Sequence, residues 1–374
     1  MPGKPDESLA VLIGDARVGT LAETPDGLVA FQYDSGWLRG GYSINPYSLP
    51  LSDELFVPKW HPFDGLFGAF NDSLPDGWGA LLLDRMLAEA GIDPALVGPL
   101  ERLSIVGSNG RGALCYEPEA GFPQKLQSSD LDELARLCSD ILMNKPVADL
   151  DAVYAAGGSS GGARPKAYVE DEDGAWLVKF PARMDPLEAG ALEYDYMACA
   201  SECGIKVPEF KLFPSELCGG YFATKRFDVR NGRRVHMLTA SGIVEVSHRE
   251  PVLDYKSLFQ ISYFLTGSRA EAEQLFRLMC FNVFARNYDD HANNFTWLCE
   301  QGEWKLSPAY DLTYSAGFHR GHMTSVLGSG EPTMDDVLAL AKEAGLPTAI
   351  SKRVALDIRD ACGDLLARHG LPCL

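Results

Sequence analysis

One stretch of this 374-residue chain concentrates side chains that can do chemistry: Asn287-Tyr-Asp-Asp-His-Ala-Asn-Asn294-Phe. Asp289 and Asn294 stand five residues apart, after an apolar run (FRLMCFNVFA) that reads as a helix and before FTWL, which reads as a strand. A carboxylate and an amide oxygen at that separation suit phosphoryl transfer. One carboxylate orients or accepts the proton of the attacking hydroxyl, and a nearby oxygen holds a cation on the phosphates. Asp311, in Leu306-Ser-Pro-Ala-Tyr-Asp311-Leu, follows 17 residues beyond Asn294, across the hairpin-like CEQGEWKL. Mg²⁺ takes one or two carboxylates together with phosphate oxygens and water, so Asn294 and Asp311 form a candidate metal pair.

The nucleotide side of such a reaction is expected upstream. Gly157-Gly-Ser-Ser-Gly-Gly162 offers backbone N–H groups with little side-chain obstruction, as a phosphate-covering loop requires, although it is neither GxGxxG nor a Walker A motif. Trp176-Leu-Val-Lys179-Phe puts a lysine in an apolar strand, and Glu193 opens an amphipathic stretch 14 residues later. A strand lysine paired with a helix glutamate is how kinases hold the α- and β-phosphates. Each part taken singly has a plainer reading. The Gly/Ser run could be a flexible loop, Lys179 a snorkelling side chain, Glu193 part of a solvated helix face, and Asp311 a helix N-cap. Their order (Gly-rich loop, strand lysine, helix glutamate, Asp-x₄-Asn, Asp) favours the joint reading.

On these residues the chain resembles the HipA-type serine/threonine kinases, the toxin components of bacterial HipBA toxin–antitoxin pairs. VGTLAE, FQYD, YSLPLS, FNDSLPDGWG and NGRGAL are similar to the family's N-terminal region. GGSSGGARPKA, LVKFP, EYDYMACASECGIKVPE, KRFD, NYDDHANNF and LSPAYDL are similar to its kinase core. The resemblance implies ATP and Mg²⁺ as cofactors, Asp289 as the catalytic aspartate, Asn294 and Asp311 as metal ligands, and Lys179 as the phosphate-binding lysine with Glu193 as its partner. It also implies nucleotide contacts from Ser159, Ser160, Gly161, Gly162, His291 and Asn294, and adenine contacts from Lys225 to Phe227. Asp289 is chosen over its neighbour Asp290 because it keeps the spacing to Asn294. A regulatory phosphoserine falls at Ser159. Phosphorylation there adds roughly −1.5 to −2 charges where ATP phosphates belong.

The implied architecture is α+β: a two-lobed, protein-kinase-like fold with a strand-rich N-terminal lobe and a mainly helical C-terminal lobe. The expected divisions are 1–125 (an extra β-rich subdomain), 126–228 (the rest of the N-terminal lobe) and 229–374 (the helical lobe). Local patterns agree. LAVLIGD, ARVGTLAE and LVAFQYD are apolar runs broken by turn residues. FNDSLPDGWGALLLDRMLAEAG reads as a turn then a helix buried through Leu81, Leu82, Met86 and Leu87 and stopped at Gly91. A helix is expected over 128–143, capped by Ser129 or Asp130, and another over 187–203. ARPKAYVE and GAWLVKF read as a hairpin, VPEFKLFP and GYFATKRFD as strands. Four helices follow from residue 257 onward. Strands first and helices later suggest α+β.

Composition bounds the function. With 33 basic and 52 acidic side chains the formal net charge is −19, and 12 of those net negative charges fall in residues 1–150. That excludes a surface that coats DNA or anionic membrane, yet suits a basic partner. Nine cysteines without a CxxC pair, no signal-peptide pattern and no apolar run near ~18 residues lead to the expectation of a reduced, cytoplasmic protein with no membrane association.

The expected partners are ATP, a protein substrate such as an aminoacyl-tRNA synthetase, and a HipB-like helix-turn-helix antitoxin through which DNA is reached only indirectly. Two alternatives stay open. One is an antitoxin-binding corepressor with weak kinase activity; the other is a small-molecule or lipid kinase, because Asp-x-His-x-x-Asn also resembles phosphoinositide-type catalytic loops.

Overall fold

The computed structural model describes residues 8–120, 130–147, 150–157, 161–316 and 321–372. Its contacts gather into two compact units, neither continuous in sequence: Met1–Gly190 with Lys211–Leu238 and Gly242–Glu245, and Ala191–Phe210 with Thr239–Ser241 and Val246–Leu374.

The first unit holds two four-stranded sheets. In one, of order β3-β2-β1-β4, β1 (Ser8–Ile13) pairs antiparallel with β2 (Ala16–Glu23) and β4 (Leu114–Glu117), and β2 with β3 (Val29–Tyr33). Alternation explains the strands: Leu9 and Val11 are fully buried while Ala10 and Leu12 keep some exposure. The other sheet has the order β5-β6-β8-β7, from Lys166–Asp171, Gly174–Lys179, Tyr221–Lys225 and Phe210–Phe213 respectively. Its core joins Trp176, Val178 and Ala223 to Leu82, Leu83 and Met86 of the helix Gly77–Glu89 and to Leu134 and Ile141 of the helix Leu131–Leu142. Asp130 caps the latter, accepting from the amides of Asp132 (2.9 Å) and Glu133 (3.3 Å). In the former, the buried face runs through Leu83 rather than Leu81, which is 38% exposed. Leu82, Met86 and Leu87 are buried as expected, and Trp78 and Leu83 widen the inward face while Leu81 falls off its edge.

The second unit is mainly helical. Arg269–Phe284 is buried nearly all round, which marks a central helix. Tyr255–Thr266 and Thr348–Arg368 pack against it. Local chemistry sets the ends. Asp254 caps the helix Tyr255–Thr266 and Gly267 closes it in the left-handed conformation (φ 58°). Ser268 starts the central helix, and Thr333 and Asp336 form a capping box on Met334–Glu343. The strands Thr296–Glu300 and Glu303–Leu306 pair as the expected antiparallel hairpin. A short parallel pairing, Leu253↔Thr324 and Asp254↔Ser325, carries residues 322–325 to the start of the helix Tyr255–Thr266.

Candidate active site

The central helix ends at Phe284, and its exit is a left-handed turn at Arg286 (φ 57°), with the amide of Asn287 donating to the Asn282 carbonyl at 3.0 Å. The chain then runs without regular structure through Tyr288–Asp290 to His291, whose backbone is extended, into a single 3₁₀ turn, Ala292–Asn294, and on into the strand Thr296–Glu300. Asp289 is exposed on this loop. Asn294 folds back over it, its Nδ2 donating to the Asp289 carbonyl at 2.7 Å. That bond fixes the amide and leaves Oδ1 as the atom a cation would take. His291, just before the turn, has its ring 5.5 Å from that of His248.

Asp311 belongs to the same assembly. Tyr310 donates its hydroxyl to the Asn293 carbonyl at 2.5 Å and lies 2.6 Å from Thr296 Oγ1. Asn287 Nδ2 lies 3.4 Å from the Asp311 carbonyl, and the amide of Ser315 donates to the Arg286 carbonyl at 3.1 Å. Asp311 itself is left-handed (φ 54°). Such a backbone costs a non-glycine residue on the order of 1 kcal/mol or more and persists only where the surroundings enforce it. The sequence reading of Asp311 as a possible helix N-cap is not met, since residues 312–316, directly after it, form no helix.

Asp290 is the opposite of Asp289. It is fully buried, with Tyr255 Oη (3.0 Å), His322 Nδ1 (3.0 Å) and the Thr324 amide (3.2 Å) around its carboxylate. Burial pushes its pKa up from the ordinary carboxylate value, against the pull of His322, Thr324 and Tyr255.

In the first unit, Lys179 ends β6 directly opposite Lys166 of β5, so it is not the lone cation of its sheet. Lys179 Nζ sits 5.8 Å from the Phe222 ring centre. Lys166 is 3% exposed and donates to the Gly161 carbonyl.

Gly161 and Gly162 are held by residues that sequence reasoning did not single out. The Gly162 amide donates to Asp76, the Trp78 amide donates to the Gly162 carbonyl at 3.0 Å, and Arg111 stands 3.9 Å from Asp76. Gly77 lies so close that a Cβ on it would fall 2.6 Å from the Gly162 carbonyl oxygen. The signal was present in SLPDGWG, which in the sequence reads as a turn and as part of the family resemblance but names no partner for the Gly-rich loop.

Ser159 and Ser160 lie outside the described residues. Glu193 sits near the start of the helix Ala189–Glu202 and is 2% exposed, so the solvated-face reading of it fails. Lys225 stands opposite Trp176 with Nζ 5.1 Å from its ring, Phe227 is half-buried, and Arg226 makes a two-pronged pair with Asp228 (2.9 and 2.6 Å).

The donor set fits Mg²⁺. It is made of hard oxygens, and among the described residues no cluster of three or more His, Cys, Asp or Glu could cage a metal unaided. Mg²⁺ is commonly held this way, by few protein oxygens with phosphates completing its shell.

A family model described as the HipA-like C-terminal domain matches residues 158–365, more than half of the chain, and one described as the HipA N-terminal domain matches residues 9–117. The chain belongs to the HipA family. The HipA of Shewanella oneidensis MR-1, solved in a toxin–antitoxin complex with HipB and operator DNA, is similar to this HipA-family chain with a TM-score of 0.69 at 17% identity, over 98% of this chain and 92% of that one. At that identity the likeness is one of fold. It matches the expected class, with strands prominent in the first part and helices in the second. The Helicobacter pylori proinflammatory kinase CtkA aligns with 56% of this chain and 89% of its own at 12% identity and a TM-score of 0.38, too low to carry an argument. No curated protein matches the sequence. Among the described residues, no helix of this HipA-family protein is long and apolar enough to cross a membrane.

Proposed function

We propose that this protein is an ATP- and Mg²⁺-dependent serine/threonine protein kinase that arrests growth by phosphorylating a translation component such as an aminoacyl-tRNA synthetase. The observation that carries the reading is the tethering of two segments: Tyr310 and Asn287 tie the Asp311 segment to the loop bearing Asp289 and Asn294. Asp289 orients the substrate hydroxyl and takes its proton as the oxygen bonds to the γ-phosphorus, while the bond to the β-phosphate oxygen breaks and ADP leaves. Asn294 Oδ1 and the Asp311 carboxylate would hold Mg²⁺, which when bound would supply positive charge against the phosphates. Lys179, with Glu193 as its partner, neutralises the α- and β-phosphates, assisted by the amides of the Gly-rich loop. Lys225 to Phe227 and His291 contact the nucleotide. Phosphorylation of Ser159 switches the loop off.

The test is to incubate the full chain with Mg²⁺, labelled ATP and cell lysate, then map phosphate by mass spectrometry. Labelled protein bands, and phosphate on Ser159 or Ser160, are expected for the wild type and not for Asp289→Asn. Label confined to lipid or small molecules would overturn the protein-kinase reading in favour of the small-molecule alternative.

A second role is favoured by the Shewanella relative, which was solved with HipB and operator DNA. We infer that this chain also binds a HipB-like helix-turn-helix antitoxin in the cytoplasm and reaches DNA only through it.

A further inference from the structure

Beneath the catalytic loop the second unit contains a continuous buried chain of side-chain hydrogen bonds. Tyr255 donates to Asp290 Oδ2 (3.0 Å), Asn282 Nδ2 donates to Tyr255 Oη (2.9 Å), and Asn287 Nδ2 donates to Asn282 Oδ1 (3.0 Å). The same Asn287 Nδ2 lies 3.4 Å from the Asp311 carbonyl oxygen. Asp290 is 0%, Tyr255 0%, Asn282 2% and Asn287 1% exposed, so water cannot substitute for any link.

We infer that Asp290, through Tyr255, Asn282 and Asn287, is a positioning residue that sets where Asp311 stands relative to the loop carrying Asp289. The direction of every bond follows from the end of the chain. Tyr255 donates to Oδ2 of Asp290 and the Thr324 amide donates to its Oδ1, so the carboxyl is the acceptor on which the chain ends. The tyrosine oxygen is then left to accept, which fixes Asn282 with its Nδ2 toward the ring hydroxyl. The Asn282 carbonyl in turn faces Asn287, and this selects the Asn287 rotamer whose Nδ2 faces the Asp311 backbone. Aligned bonds of one direction reinforce one another in a low-dielectric interior.

A second set of anchors holds the carboxylate itself: the Thr324 amide and His322 Nδ1 bind it, and Thr324 Oγ1 donates to the Asp290 carbonyl. Thr324 belongs to the short pairing of Leu253–Asp254 with Thr324–Ser325, and His322 lies two residues before it. Asp290 therefore joins the residues around 322–325, the helix Tyr255–Thr266 and the end of the central helix to one acceptor. The left-handed backbone at Asp311 is the strained element this chain holds in place.

The inference deepens the kinase reading but is tested apart from it, by hydrogen–deuterium exchange on the full chain alongside kinetics. Tyr255→Phe removes one hydroxyl and keeps the ring that packs 5.5 Å from Phe295, so it cuts the chain without emptying the core. Tyr255→Phe and Asp290→Asn are both expected to speed exchange in residues 309–316 about tenfold, the weight of one buried hydrogen bond, with the helix Thr348–Arg368 unchanged. In kinetics, both are expected to lower kcat and leave KM for the protein substrate alone, and the double variant is expected to be no slower than the slower single one. Unchanged exchange at 309–316 in Tyr255→Phe, or fully multiplicative losses in kcat, would overturn the inference. Faster exchange at 309–316 in the variants than in the wild type, with no phosphoryl transfer by any of them, would uphold the positioning chain and sink the kinase reading instead.

Discussion

Two adjacent carboxylates, Asp289 and Asp290, meet opposite environments, and under the proposed kinase reading the difference gives them different work. Asp289 is exposed, where an ionised carboxylate keeps its solvation and can meet a substrate hydroxyl. Asp290 is sealed from solvent and committed to Tyr255, His322 and Thr324. Replacing the exposed one should therefore be cheap for the fold and ruinous for the reaction. Asp289→Asn is expected to lose about 10²- to 10⁴-fold in kcat while its unfolding free energy stays within about 0.5 kcal/mol of the wild type, as for surface substitutions generally. Steady-state kinetics and urea unfolding on the same preparation check both halves. An active Asp289→Asn would remove this residue from the mechanism.

At the scale of single elements, the strand His236–Thr239 shows how a buried contact becomes a pH response. His236 is 1% exposed, and its Nε2 lies 2.8 Å from the Ile44 carbonyl. Burial pulls its pKa down to about 4, only partly opposed by that bond. The unfolded chain, with a histidine near 6.5, then binds a proton before the folded one does. The contribution is fully present above about pH 6.5 and is lost as pH falls toward 4, by about 3 kcal/mol at most. Urea unfolding at pH 7 and pH 4.5 is expected to give a smaller acid-induced loss for His236→Gln than for the wild type, and equal losses would contradict the argument.

Elements such as Leu131–Leu142 were legible in the sequence because a cap residue and an apolar stripe are both local signals. The helix Pro99–Val106 and the strand Leu114–Glu117 were not read from it. The helix spans only eight residues and the strand four, too few for a period to declare itself, and both are fixed by packing on distant strands. The candidate site divides in the same way. Asp289, Asn294 and Asp311 carry their spacing in the sequence. The grip of Asp76 on Gly162 spans 86 residues, and the burial of Glu193 depends on tertiary neighbours, so neither leaves a local trace.

For the molecule as a whole, the charge distribution constrains how partners are met. The formal net charge is −19, and residues 1–150 hold a net −12 of it. Duplex DNA repels such a surface, so the purified chain alone should not retard operator-length DNA at about 150 mM salt, where even basic proteins bind non-specifically with only modest affinity. A basic helix-turn-helix partner is in the reverse position: long-range attraction would speed its encounter with the acidic region, and salt would screen that attraction beyond a Debye length of about 8 Å at physiological strength. Association of an antitoxin encoded beside this chain should therefore slow about tenfold in on-rate between 50 and 500 mM salt, with a smaller change in off-rate, when followed by surface plasmon resonance. Charge-reversing substitutions confined to exposed acidic positions in residues 8–120 should flatten that salt dependence, whereas the same number of reversals in the helix Thr348–Arg368 should leave it intact. An on-rate indifferent to salt, or equally sensitive to both sets of reversals, would mean that the acidity of the N-terminal region plays no part in meeting the partner.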